Sequence, residues 1–202
     1  DDKIAWYEND GSESFTEHVI STSPDGPRAV LAADVDGDGD MDVLSTSWYD
    51  DTIAWYENDG SESFTEHAIS TSADGAESVH VVDVDADGDM DVLSALRSDN
   101  TIAWYENDGS ESFTEHAIST SADQANSVHA ADVDADGDMD VLSASGNDNK
   151  IAWYENDGSE SFTEHVISTS ADNAWSVHAV DVDGDGDMDV LSASSDDDKI
   201  AW

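Results

Sequence analysis

The chain has no cysteine, only five Lys and Arg among 202 residues, and no long apolar run. Each absence excludes something. Without cysteine there are no disulfides and no thiolate metal sites. Five scattered cations cannot neutralise a phosphate backbone, so nucleic acid is excluded as a partner, as are anionic membrane surfaces. Without an apolar stretch of about twenty residues no helix can insert in a membrane, and no secretory leader is legible. No helical periodicity lasts long enough to specify a helix. What is abundant is acid: 50 Asp and Glu give a formal net charge of −45. The chain is nonetheless 38% hydrophobic with seven Trp, which a disordered acidic tail would lack. It should therefore fold, and bound cations are the simplest way to tolerate the self-repulsion.

One segment recurs four times with a period of 49 residues and no drift. Ile-Ala-Trp starts at Ile4, Ile53, Ile102, Ile151 and Ile200, and an acidic run starts at Asp34, Asp83, Asp132 and Asp181. A unit this short cannot bury its own apolar residues, so neighbours must stack, as in solenoids, propellers or linear arrays.

Each copy reads as four short strands. Ala29 to Val35 leads into the acidic run, Met41 to Ser47 leads out, Thr52 to Asn58 follows, and Phe64 to Ser70 closes the unit. All are rich in β-branched and aromatic residues, and Asn58-Asp59-Gly60 is a turn signal between the last two. The expected fold is all-β: a β-propeller of four-stranded antiparallel blades, closed or forming part of a larger ring or array. The chain reads as one domain, residues 1–202, with blades at 29–77, 78–126 and 127–175. Residues 176–202 start a fourth, which 1–28 complete or flank.

The acidic runs carry the chemistry. In loop positions 1, 3, 5, 7 and 9 the first copy has Asp34, Asp36, Asp38, Asp40 and Asp42. The second has Asp83, Asp85, Asp87, Asp89 and Asp91, and the third Asp132, Asp134, Asp136, Asp138 and Asp140. The fourth has Asp181, Asp183, Asp185, Asp187 and Asp189. Hard oxygens on alternate residues with Gly at position 6 are what wrapping a chain around Ca²⁺ requires: carboxylates at 1, 3, 5 and 9, and a carbonyl at 7. An EF-hand would add a Glu at position 12 between helices, whereas here that position is Ser45, Ser94, Ser143 and Ser192. Position 4 alone varies, Gly37 and Gly184 against Ala86 and Ala135.

Asp-Val-Asp-Gly-Asp-Gly-Asp-Met-Asp followed by Val-Leu, set between strands, resembles the FG-GAP or VCBS-type calcium-binding propeller repeat. The resemblance covers the whole chain. It implies a Ca²⁺ cofactor held by the twenty Asp residues just named and an extracellular, secreted or cell-surface setting, as in integrin heads, fungal lectins and bacterial surface proteins. Such propellers usually have seven or eight blades, and this chain has four repeats. Asp1–Trp6 and Asp197–Trp202 are the same hexapeptide, so a closed four-bladed ring would offer one third-strand slot to two contenders. Three arrangements satisfy this: a cut from a longer array, two chains sharing a ring, or a four-bladed ring with one segment displaced.

Differences among the copies concentrate before the first strand and between the second and third. Trp48, Tyr49, Arg97 and Trp175 lie in these windows and are the candidate ligand residues, since exposed aromatics and Arg favour recognition. The Trp of each Ile-Ala-Trp-Tyr, at Trp6, Trp55, Trp104 and Trp153, reads as packing core. His18, His67, His116 and His165 read as edge-strand surface residues, while His80, His129 and His178 fall in first strands, near a central axis; Leu31 takes that place in the first copy. No position breaks the repeat with an asymmetric catalytic constellation, so no catalytic residue is assigned. The reading is a calcium-stabilised extracellular module for adhesion, glycan or protein binding, or surface assembly, not an enzyme; the alternative is a propeller-fold polysaccharide lyase or hydrolase.

Overall fold

The computed structural model describes residues 2–202. A two-stranded hairpin, β1 (Ile4–Asn9) and β2 (Phe15–Ser21), precedes three complete four-stranded antiparallel sheets. The first sheet is β3 (Pro27–Ala33), β4 (Asp42–Ser47), β5 (Thr52–Asn58) and β6 (Phe64–Ser70). The second is β7 (Ala76–Val82), β8 (Asp91–Leu96), β9 (Thr101–Asn107) and β10 (Phe113–Ser119); the third is β11 (Ala125–Ala131), β12 (Asp140–Ser145), β13 (Lys150–Asn156) and β14 (Phe162–Ser168). A fourth, of three strands, is β15 (Ala174–Val180), β16 (Asp189–Ser194) and β17 (Lys199–Ala201). Strands in each sheet are paired in sequence order, as the alternation of strand and turn signals predicts. First strands begin two residues earlier than the sequence pattern places them, because a register shift between Pro27 and Ala29, repeated in later sheets, adds a bulge there.

Sheets stack through their faces, so each hydrophobic core lies between repeats. Leu44, Ile53 and Trp55 of the first sheet meet Ala76, Val92, Leu96 and Tyr105 of the second. Leu93, Ile102 and Trp104 meet Val128, Val141 and Tyr154 in the same manner one repeat on. This is why β8 and β12 are buried at every residue and lack polar/apolar alternation. The hairpin joins the series through Ile4 and Ile20, against Ala54 and Tyr56. Among the described residues, first strands pack in the succession β3, β7, β11, β15, and no substantial packing returns from β15–β17 to β1–β2. The sheets and their order match the expectation, while ring closure is not observed.

The Trp residues behave as core at Trp55 and Trp104, which are fully buried; Trp6 and Trp153 are half-buried. The fourth-strand histidines are more than surface residues. His18, His67, His116 and His165 each stack on the Trp of the adjacent strand at 4.4–4.7 Å between ring centroids. Each also meets a Glu carboxylate on that strand, His67 Nε2 lying 2.8 Å from Glu57 Oε2.

His80, His129 and His178 form a column along successive first strands, with centroids 4.7 and 4.2 Å apart. Burial lowers the pKa of His129 to about 4, helped by the charges of His80 and His178, and lowers that of His80 for the same reasons. An unfolded imidazole takes up its proton near 6.5, so between that pH and about 4 the unfolded chain binds more protons. Stability from this residue is present above pH 6.5 and is lost towards 4. His129→Leu, which copies Leu31 of the first sheet, is expected to lose less stability over that window than the parent in urea titrations. Superimposable pH profiles would refute the account.

Candidate cation loops and an aromatic–arginine patch

The acidic loops join the first strand of each sheet to the second, at the end where the Asn-Asp-Gly turn joins the third to the fourth. Each loop folds on its own side chains. In the first, Asp36 Oδ1 accepts from the N–H of Asp38, Asp38 Oδ1 from that of Asp40, and Asp34 Oδ2 from that of Gly39, at 2.8–3.1 Å. The same three bonds recur in the other loops. Position 6 takes φ of 97° to 105°, beyond the left-handed region open to side chains, so it must be Gly. Position 4 takes φ of 62° at Ala86 and Ala135, which alanine tolerates. That difference explains why position 4 varies between Gly and Ala and position 6 does not.

Position 9 anchors the loop. Asp42, Asp91 and Asp140 are fully buried. Asp42 Oδ2 accepts from Val35 N–H at 3.0 Å inside the loop, and Oδ1 from Asn58 N–H at 2.8 Å on the third strand. Asp91 and Asp140 repeat both bonds. Asp189 keeps only the loop bond, from Val182 N–H.

Ligand-type oxygens converge. Asp34, Asp36 and Asp42 each place one oxygen within 4.8 Å of the others, as do Asp83, Asp85 and Asp91, and Asp181, Asp183 and Asp189. In the third loop the converging set is Asp132, Asp134 and Asp136. The structure thus brings positions 1 and 3 together with 9 or 5. The side chains at position 7 stand elsewhere: Asp40, Asp89 and Asp138 lie against Gly60, Gly109 and Gly158 of the neighbouring turns. This is compatible with a carbonyl role at 7. Asp34 Oδ1, Asp83 Oδ1 and Asp132 Oδ1 are buried without a hydrogen-bond partner. An orphaned carboxylate oxygen beside others is costly unless a cation satisfies it, so the residues fit a hard divalent ion.

The electrostatics agree. Burial, with repulsion from neighbouring carboxylates, raises the pKa of Asp36, Asp85 and Asp134. Burial pushes Asp91 up to about 6 and raises Asp140, against the pull of the backbone N–H donors. The indole nitrogens of Trp104 and Trp153 lack a well-formed hydrogen bond, yet they lie near enough to these two carboxyls to favour the charged form.

At the opposite end of the sheets, three of the four candidate ligand residues come together. The Arg97 guanidinium lies 6.0 Å from the Trp48 ring and 5.3 Å from the Trp175 ring, so it bridges residues from three sheets. The Arg28 guanidinium also lies over the Trp48 ring, 4.9 Å from its centroid, and Gln124 accepts from Arg97 Nη2 at 2.8 Å. Arg28, Trp48, Arg97, Ser98 and Gln124 line a shallow cavity of about 370 Å³. Tyr49 is not part of it: exposed, it lies over Gly26. Sequence reasoning missed Arg28 and Gln124, although both sit in varied windows and Arg28 is one of only five cations.

A family model, the FG-GAP-like repeat, matches residues 1–45, 34–94, 84–143 and 133–192. The chain belongs to this family. No curated protein matches it. Among solved structures it is similar to a lectin of Agrocybe aegerita described as specifically recognising non-reducing terminal N-acetylglucosamine (TM-score 0.62, 14% identity), covering 90% of this chain and 52% of the lectin. It is also similar to the biofilm matrix protein Bap1 of V. cholerae (TM-score 0.53, 23% identity), covering 83% of this chain and 23% of that one. The chain thus spans about half of one relative and a quarter of the other, and these likenesses establish fold alone.

The loop geometry makes a two-sided test. A Cβ at Gly88 would meet nothing within 4 Å, so only its φ of 102° resists substitution. Gly88→Val is expected to destabilise by about 1–3 kcal/mol, and Ala86→Gly, two residues away, by less than about 1 kcal/mol. Chemical denaturation reads both, and equal effects would contradict the assignment of position 6 as the strained bend.

Proposed function

We propose that this FG-GAP chain is a calcium-stabilised extracellular module of propeller blades, whose acidic loops each hold one Ca²⁺ and whose opposite end binds a glycan or protein surface without catalysis. The observation that carries the binding reading is the Arg28–Trp48–Arg97–Trp175 ladder. Two of the chain's five cations and two of its seven Trp are gathered there, in the windows where the repeats differ. Arginines stacked on indoles hold those rings in place while leaving apolar faces and N–H donors available, a combination suited to sugar rings and amide groups. Anionic ligands are disfavoured by the surrounding field of −45 formal charges. The likeness to a GlcNAc-recognising lectin and to a biofilm matrix protein supports an adhesive or glycan-binding role at a cell surface or in a matrix.

For the ions, the orphaned oxygens of Asp34, Asp83 and Asp132 and the raised carboxyl pKa values support hard-cation binding. Carboxylate and carbonyl oxygens on a flexible loop suit Ca²⁺ better than Mg²⁺, and affinities of roughly 10⁻⁴–10⁻³ M are usual for extracellular modules. Each ion would cancel two negative charges and tie loop to strand.

Calorimetry with calcium and with chelator is expected to show a lower melting temperature without calcium. An unchanged temperature would refute the calcium reading. Acid adds a sign test. In the calcium-free protein, Asp91, with its folded pKa near 6, contributes stability that is present at low pH and lost as pH rises through 6. Protons should therefore favour this site when it is free of calcium and compete with the ion when calcium is bound, so calcium affinity falls below pH 6. For the patch, Trp48→Ala with Trp175→Ala is expected to weaken binding on a glycan or matrix-protein array at least about tenfold, the equivalent of about 1.4 kcal/mol, while leaving calcium stoichiometry intact. Undiminished binding would dismiss the patch.

A further inference from the structure

A second group of ligand-type side chains converges outside the acidic loops, where the first sheet meets the second. In the β5–β6 register His67 lies opposite Trp55, and Glu57, two residues beyond Trp55, falls on the same face of the sheet. His67 Nε2 stands 2.8 Å from Glu57 Oε2. Glu111 comes from a different sheet, on the exposed turn between β9 and β10. Each of the three brings one ligand atom within 4.8 Å of the others.

The arrangement suits a metal better than a bare ion pair. Glu57 and His67 satisfy one another without a third member, and a second carboxylate brought up to them adds negative charge that one imidazole cannot balance. A cation among the three removes that repulsion. Two donor atoms held on one ion at about 2.0–2.2 Å stand about 3 Å apart, which is close to the separation of Nε2 and Oε2 here. The imidazole is also held in place, stacked on Trp55 with 4.7 Å between ring centroids and 27° between the planes. An imidazole nitrogen with two carboxylates is a donor set for Zn²⁺ and related first-row divalent ions, whereas Ca²⁺ takes oxygen alone.

An independent observation points to a ligand at this place. A cavity of about 390 Å³ opens beside Glu111, and Trp55, Asp36 and Asp38 also line it. Trp55 is fully buried, and its indole nitrogen has no hydrogen-bond partner. A buried donor left unpaired in the wall of a polar cavity calls for an acceptor there. Three protein ligands leave at least one coordination position for water, and the cavity gives it room.

We propose that Glu57, His67 and Glu111 bind a zinc-class divalent ion that staples the first sheet to the second, at a site separate from the acidic loops in position and in ligand chemistry. The proposal does not depend on calcium occupying those loops. The same residue types recur one repeat on as Glu106, His116 and Glu160, although among the described residues their ligand atoms do not converge as closely. Zinc stoichiometry is therefore compared between variants rather than read alone.

The test is titration calorimetry with Zn²⁺ in excess Ca²⁺, which keeps the acidic loops supplied with the ion they prefer, on the parent chain, Glu111→Gln and His67→Gln. The parent is expected to bind Zn²⁺ and each variant to bind one equivalent fewer. The rise in melting temperature that Zn²⁺ gives the parent should shrink in both variants. Glu111 is exposed on a turn, so Glu111→Gln keeps the fold and decides the matter even where His67→Gln, which loses the Trp55 stack, does not. Absence of zinc binding, or equal stoichiometry in the parent and Glu111→Gln, overturns the proposal. Zinc taken up only once calcium is removed would put the ion in the acidic loops and overturn it as well.

Discussion

The buried carboxylate at loop position 9 is the interaction on which the rest depends. Asp42, Asp91 and Asp140 are charged residues with no solvent exposure. Such burial is tolerable only when the charge is hydrogen-bonded or paired. Here one oxygen takes an N–H from the loop and the other an N–H from the third strand, so a single side chain fixes the acidic loop to its sheet. Backbone N–H bonds to Asp34, Asp36 and Asp38 shape the rest of the loop, which brings positions 1 and 3 together with position 9, while the position-7 side chain lies against the neighbouring turn. A cation at that centre would relieve repulsion in a structure that repulsion would otherwise open.

The repeat turns this local device into an architecture. Because each core lies between sheets, a sheet whose loop is loosened weakens two neighbours through their shared faces. The Trp–His–Glu stacks reinforce the same sheets crosswise, joining third strand to fourth in every repeat. The two ends differ in kind: one carries four clusters of converging carboxylates, while the other sets the stacked arginines among further acids such as Asp25, Asp50 and Asp99. The acidic end is invariant because five positions and a glycine conformation must agree at once. The other end can vary because Trp48 and Arg97 rest on strand ends that the core already holds.

Sheet content, strand order and the loops were legible because the signals are local and occur four times: turn glycines, β-branched runs and acids on alternate residues. The glycine at position 6 could be read from its place in the loop, and its φ near 100° gives the reason. Less legible were relations across sheets. Nothing in the spacing of Arg28, Trp48, Arg97 and Trp175 shows that they converge, because their proximity depends on how successive sheets rotate about the first strands. The same holds for the histidine column, whose members are 49 residues apart in sequence and in ring contact in space. Tyr49 stands apart from the other three for a local reason: Gly26 offers its ring a seat beside its own strand.

The fourth sheet shows how far an identical sequence can differ in state. Its acidic loop has the same residues as the first in all nine positions, yet Asp189 is half-exposed and Asp181 is turned to its own backbone. The composition of the loop therefore does not by itself set the burial of position 9. What sets it is the Asn at the end of the adjoining third strand, whose main-chain N–H and side-chain amide hold the loop from outside. Asp181, Asp183 and Asp189 still bring their oxygens together, so a loop without this clamp keeps its convergence and loses the burial of position 9. Burial of the position-9 carboxylate and pairing of the third strand are for that reason linked in this fold.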